Sequence, residues 1–249
     1  MTSTPTVKFL TLKWGDKYGP EYVNRLYNNV KNTYSGPFEF WCFTDDSYGI
    51  DEAVHTADIT DLPHYGIEGN IFTIVKLDLF RHLPFEGPHV FVDLDVLILK
   101  DLKPYFDEYQ FSEPRYLNNY WSDRVRELST FHRGDCFINS SFLTWNNGQF
   151  DWLYDLYEDN KKIITQKFQS FDKMVYYCAQ DKLHFHPKGI AYTYSFGAEY
   201  PDDVEPYKYR DDFYIVLFNT SHNQGVELHD ADGWARDLWV DGRLPAGTG

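Results

Sequence analysis

Sulfur is scarce in this chain: 249 residues hold three cysteines, Cys42, Cys136 and Cys178, and two methionines. The cysteines are far apart, odd in number and fit no zinc-ligand spacing. A disulfide framework is excluded, and reduced thiols in a cytoplasmic protein are expected. Basic residues are also few, 23 against 38 acidic ones, for a net charge of −15. No block of lysine or arginine offsets that charge, which argues against a nucleic-acid partner or a polybasic membrane patch. No apolar run approaches the ~20 residues that span a bilayer. The opening MTSTPTVKFLTLKWGD has neither the basic leader nor the apolar stretch of a signal peptide. Repeats, low-complexity tracts and Ser/Gly linkers are missing too, so one domain over residues 1–243 with a flexible tail at 244–249 is expected.

What the chain has in quantity is aromatic carbon: 20 Tyr, 20 Phe and 7 Trp make 19% of it. Such rings fill a core or line a cleft with flat apolar faces, as sugar and nucleobase sites do; composition leaves both readings open. Hydropathy patterning is more decisive. Val7–Leu12 reads as a strand, and Pro20 opens a helix with Tyr22, Val23, Leu26, Tyr27 and Val30 at helical spacing. Glu39–Thr44 is a second strand, Ile71–Leu83 a second helix, and HVFVDLDVLIL (89–99) an apolar strand run broken only by two aspartates. Alternating strands and helices predict an α/β fold with a mainly parallel sheet flanked by helices. In such sheets ligands bind at the carboxyl ends of the strands, so Thr11–Tyr18, Thr44–Asp46 and Asp93–Asp95 should face one cleft. Farther on, Cys136–Trp145 and Phe213–Phe218 read as strands and Gln149–Tyr157 and Lys167–Ala179 as helices. Asn118–Arg133 reads as a long loop.

Asp93-Leu94-Asp95 is the most informative unit. Two carboxylates at the end of a buried strand need neutralisation. With no base adjacent in sequence, a divalent cation is the economical partner. Oxygen ligands point to Mg²⁺ or Mn²⁺, and a histidine as third ligand would favour Mn²⁺. The plainer alternative is that Asp95 turns the chain while Asp93 accepts backbone N–H bonds.

VFVDLDVLILKDL resembles the DxD segment of the GT-A glycosyltransferases. CFINSSFLTWNNGQFDWLY (136–154) resembles the acceptor-side strand and helix of glycosyltransferase family eight, the glycogenin and lipopolysaccharide galactosyltransferase family. SFDKM (170–174) is similar to that family's Asp-Gln segment, and His222-Asn-Gln-Gly225 to the first half of its HxxGxxKPW closing motif. The matches follow the family's order across most of the chain. They imply a GT-A fold and metal-dependent transfer of a hexose from a nucleoside-diphosphate sugar, UDP-glucose or UDP-galactose, to a hydroxyl acceptor with retention.

The resemblance implies metal ligation by Asp93, Asp95 and His222, with Asn219 in the ligand position in an alternative register. Lys76 corresponds to the family's basic residue near the diphosphate. Thr11, Trp14, Tyr18 and Asp45 are placed near the base, and Leu94, Ser140 and Gly225 join the donor-binding set. Asn139 and Asp172 are the residues expected to act on the sugar. Three positions depart from the family's pattern: Lys173 replaces the Gln, Ser141 a usual Gly, and Leu228 the closing-motif lysine. Leu228 and Ser141 keep one rival in view, a nucleotide-sugar or carbohydrate-binding protein without turnover; the paired aspartates keep another, a metal-dependent phosphohydrolase, which would need further ligands such as His89.

Overall fold

Residues 5–66, 72–118, 138–168, 170–198, 204–218 and 225–242 are described by the computed structural model. Alternation in β1 (Val7–Lys13) shows how the fold is layered. Val7 and Phe9 enter one core, Leu10 and Leu12 the other, so the strand is buried on both faces as a central strand must be. Seven strands form the main sheet in the order β3 (His55–Asp58), β2 (Phe38–Thr44), β1, β4 (His89–Val92), β7 (Ile138–Trp145), β6 (Arg115–Asn118), β8 (His184–Phe185). The pairs β1–β2, β1–β4, β2–β3 and β6–β8 are parallel; β7 runs antiparallel to both β4 and β6. The carboxyl ends of β1, β2 and β4 therefore lie side by side, as the strand–helix alternation predicts. A smaller sheet holds β5 (Val96–Ile98), β10 (Ile215–Leu217) and β9 (Ala191–Thr193), with β10 in the centre.

One face of the main sheet is covered by α1 (Pro20–Thr33), the small sheet and α6 (Gly233–Asp241). Pro at the first position of α1 suits a turn whose N–H has no partner anyway, and all five expected apolar positions are buried. The other face is covered by α2 (Asp78–Arg81), α4 (Asp151–Lys167) and α5 (Phe171–Ala179). A helix α3 (Lys103–Tyr109), absent from the sequence reading, packs Tyr105, Phe106 and Tyr109 into the core.

The second helix differs from its prediction. Phe72–Leu77 is a 3₁₀ turn and only Asp78–Arg81 is α-helical; Ile71 lies outside the described residues. The run Phe-Thr-Ile-Val explains this, because β-branched and aromatic side chains lose rotamer freedom in an α-helix. The expected helix from Lys167 is split as well, α4 extending to Lys167 and α5 beginning at Phe171. No helix of the described residues is long and apolar enough to cross a membrane.

An ionic cluster built on the buried His64 and Asp78, with Glu158 at its exposed edge, locks the 59–66 segment to two helices. His64 Nδ1 lies 2.6 Å from Asp78 Oδ1 on α2, and Nε2 lies 2.6 Å from Glu158 Oε1 on α4. The His64 amide also donates to Asp78 Oδ2 at 2.9 Å. Tyr157 meets the ring edge-on at 5.0 Å. Burial opposes a charged ring, but the two carboxylates outweigh it and the His64 pKa is raised.

Candidate functional site

The aspartate pair sits where the chain leaves one sheet for the other. The Asp93 amide donates to Ser141 O on β7 at 2.9 Å, ending the main-sheet ladder. Asp95 O accepts from the Phe218 amide at the end of β10, also at 2.9 Å. Leu94 between them turns its side chain into the core, leaving only its backbone for a ligand, while both carboxylates stay partly accessible.

Lys76 comes to this point from the 3₁₀ turn. Its neighbours Ile74, Val75 and Leu77 are buried, which draws the lysine inward, and it is only 4% exposed. Nζ lies 2.9 Å from Asp93 Oδ1 and 3.0 Å from Oδ2, and it donates to Ser140 O and Oγ at 3.2 Å. Ser140 is presented by an irregularity in β7, where the register against β6 slips between Arg115–Thr144 and Leu117–Asn139. Bulges of this kind re-aim side chains. The Phe171 amide donates to Thr73 Oγ1 at 3.3 Å, tying the start of α5 to the turn that carries Lys76. Asp172 follows in that first helical turn. Its Oδ1 is buried without a hydrogen-bond partner among the described residues. Burial raises the Asp172 pKa, Lys76 and Ser140 draw it down, and Asp93 adds to the rise.

The structure thus brings together Lys76, Asp93, Ser140 and Asp172, with Asp95 on the adjoining side. Burial, then the negative charge of Asp93, lifts the Asp95 carboxyl to about 7, against the pull of Lys17 and Lys76. Tyr18 donates to Asp95 Oδ2 at 3.4 Å and packs at a tilt against Tyr22, 4.6 Å between ring centres. Trp14 packs against the other core, so the 14–18 turn straddles both faces of the sheet. Asp45 at the end of β2 is exposed, accepting from the Gly15 amide at 2.9 Å and from Tyr65 Oη at 3.1 Å.

Two expected residues, Thr11 and Asn139, are placed otherwise. Thr11 is fully buried within the sheet, its Oγ1 without a partner among the described residues. Asn139 accepts from the Ser141 amide at 2.8 Å and so braces its own strand. Lys173 lines a groove between α4 and α5. Gly225 holds the left-handed φ of +99°, and the next amide, of Val226, donates to Ser195 Oγ. Leu228 is fully buried, a core residue and no substitute for a phosphate-binding lysine. His89 is equally buried, stacked 5.2 Å from Trp145, and burial lowers its pKa to about 4.

Asn219 and His222 lie outside the described residues, but the flanks of their segment are placed. Phe218 is bonded to Asp95, and Glu227 lies 4.0 Å from Lys17, whose ammonium sits 4.6 Å from the centre of the Tyr18 ring. Sequence reasoning missed Lys17 and Tyr65. A cation inside the turn between Trp14 and Tyr18 was the available signal for the first; no pattern marks the second. Among the described residues no three His, Cys, Asp or Glu side chains converge as a metal site. The pair Asp93 and Asp95 nonetheless suits a hard divalent cation, since two close carboxylates, one held up at about 7, are short of positive charge.

No protein-family model and no curated protein matches the sequence. Solved structures do match in fold. The galactosyltransferase LgtC, crystallised with donor and acceptor sugar analogs, superposes with a TM-score of 0.61 at 12% identity, covering 96% of this chain and 98% of LgtC. The bifunctional glycosyltransferase WbbM superposes with a TM-score of 0.66 at 10% identity, over 96% of this chain and 49% of that one. The glycosyltransferase GlyE of Streptococcus pneumoniae TIGR4 superposes at 0.58 with 12% identity, over 95% of this chain and 60% of GlyE. The chain has the GT-A glycosyltransferase fold and resembles family eight within it.

Proposed function

We propose that the protein is a hexosyltransferase that moves a hexose from a nucleoside-diphosphate sugar, UDP-glucose or UDP-galactose, to a hydroxyl acceptor with retention. The observation that carries the reading is the cluster of Lys76, Asp93, Ser140 and Asp172 beside Asp95, at the carboxyl ends of β1, β2 and β4. The GT-A fold supports it, as does the sequence resemblance. The 14–18 turn and Asp45 hold the base, and Lys76 offsets negative charge on the diphosphate. Ser140 and Asp172 take sugar hydroxyls; the unpartnered Asp172 Oδ1 is an acceptor without a donor until a ligand supplies one. Asn139 keeps Ser140 presented by bracing the strand. A divalent cation held by Asp93 and Asp95, with His222 from the segment after Phe218, would supply Lewis-acid neutralisation of the leaving diphosphate. The free thiols Cys42 and Cys178 support a cytoplasmic setting.

The buried Leu228 favours one second reading, a donor-binding protein without turnover. Calorimetric titration of UDP, UDP-glucose and UDP-galactose with Mn²⁺ or chelator, followed by assay of hexose transfer and release, separates the two. Metal-dependent binding with transfer is expected. Binding with no transfer to any acceptor and no hexose release would establish the second reading, and absence of binding would overturn both. His222→Ala should abolish metal-dependent UDP binding, whereas Asn219→Ala should leave it; the reverse result makes Asn219 the ligand.

A further inference from the structure

Acidic residues outnumber basic ones 38 to 23 across the chain, yet one groove has the opposite character. It runs between α4 and α5 with a volume of about 720 Å³, inside the range of small-molecule sites. Its floor is apolar, formed by Leu156, Ile163, Phe168 and Tyr177, and among the described residues its charged lining is two lysines, Lys167 and Lys173, with no carboxylate. Neither lysine makes an ion pair among the described residues. Ile163 and Tyr177 are 64% and 49% exposed, unusual for side chains of their size. Phe168 and Tyr177 stack across the groove with ring centres 6.1 Å apart. Lys167 and Cys178 line the groove from its two helices; burial pushes the Cys178 thiol up while Lys167 draws it down.

An apolar trough with two cations that no described carboxylate neutralises, Lys167 over the Phe168 ring at 6.0 Å and Lys173, fits a ligand having an alkyl chain and one anionic head. We propose that the α4–α5 groove binds a single-chain anionic amphiphile, its chain on the Ile163–Tyr177 floor and its phosphate or carboxylate between Lys167 and Lys173. Lysine stems extend the apolar surface while their ammonium groups stay at the rim, the usual behaviour of that side chain. The head-group end of the groove lies one residue from Asp172 along α5. The proposal does not depend on the reaction assigned to the donor site.

Cys178 is an exposed free thiol in the groove wall and serves as the reporter. Dodecyl phosphate below its micellar concentration is the probe, and the rate of N-ethylmaleimide addition at Cys178, read by peptide mass mapping, is the measurement. Simple occupancy predicts about fivefold slowing at roughly four times Kd. Inorganic phosphate and dodecyl maltoside at the same concentration should give no protection. Lys167→Glu with Lys173→Glu should weaken protection about tenfold or more, with an unchanged melting curve because both side chains are at the rim. Lys167→Gln with Lys173→Gln repeats the test if charge reversal disturbs the fold. Four results each overturn the proposal: protection by inorganic phosphate alone, equal protection by dodecyl maltoside, binding to phosphatidylglycerol vesicles without binding to monomeric dodecyl phosphate, and no protection by any probe.

Discussion

Two buried basic side chains on the same side of the main sheet are each set among carboxylates, and they end differently. His64 lies 2.6 Å from Asp78 and from Glu158, and every polar atom of the ring is engaged. Lys76 engages Asp93 and Ser140, yet beside it Asp172 Oδ1 has no partner among the described residues and Asp95 is held at about 7. A closed network rigidifies a fold; one left open at its edge is where a ligand's charges and hydroxyls would complete it. The His64 cluster accordingly reads as structural, and the function proposed above places the chemistry at the Lys76 cluster.

The largest expected effect breaks the second network. Lys76→Met should lower hexose transfer by about a hundredfold or more, the scale of losing one preorganised electrostatic contact. It should weaken UDP far more than uridine in calorimetry, and equal losses for both ligands would make Lys76 structural too. Next comes the closed network. His64→Leu strands the fully buried Asp78, a loss of about 3 kcal/mol, seen as a melting point roughly 6–12 °C lower, while the KM for donor barely moves. The pH sign distinguishes this from simple repacking. Because folding raises the His64 pKa, its contribution is complete below the unfolded value near 6.5 and fades as pH rises through the folded one. The groups facing it are Asp78, Glu158, Lys161, Tyr154 and Tyr157. Wild type should lose stability relative to the variant on going alkaline, and a gap that stays constant with pH would refute the charged clamp.

Asp95→Asn sharpens the contrast from the other side. A carboxyl raised to about 7 in the folded protein binds a proton that the unfolded chain has released, so metal-free stability should fall as pH rises from about 4 to 7. The amide removes that loss and should raise stability at pH 8 by about 1–2 kcal/mol, discounted for partial exposure. Chemical denaturation at pH 5 and pH 8 reads the difference; the same variant should lose metal-dependent UDP binding. The smallest effect belongs to Tyr65→Phe, which removes one hydrogen bond to Asp45. A two- to threefold rise in KM for donor, roughly what one solvent-exposed bond allows, is expected with kcat unchanged.

The contrast between the networks also explains what could be read in the chain. Strands with clean alternation or continuous apolar runs, β1, β2, β4 and β7, were legible because burial on both faces imposes their composition. Lys76 was legible because a charge among Ile74, Val75 and Leu77 needs a reason. The His64 clamp was not, since its members stand 14 and 94 residues apart and no period joins them. The same holds for the two lysines of the α4–α5 groove, which form no block in sequence and meet only when the helices pack. Leu228 misled in the opposite direction: motif spacing put it at the phosphate, and its apolar side chain, a fair signal of the core, carried the truer message.

Asp93 and Asp95 are neighbours in sequence but are held by strands far away in it, Ser141 on β7 and Phe218 after β10. Their spacing is settled only when both sheets have formed, and the second bond closes a loop of more than a hundred residues, a slow event in a folding chain. A nascent or half-folded molecule therefore has no competent acidic pair, whatever its helix content. Recovery of UDP affinity during refolding should be the last signal to return, trailing secondary structure, which makes ligand capture a quality mark of the finished molecule.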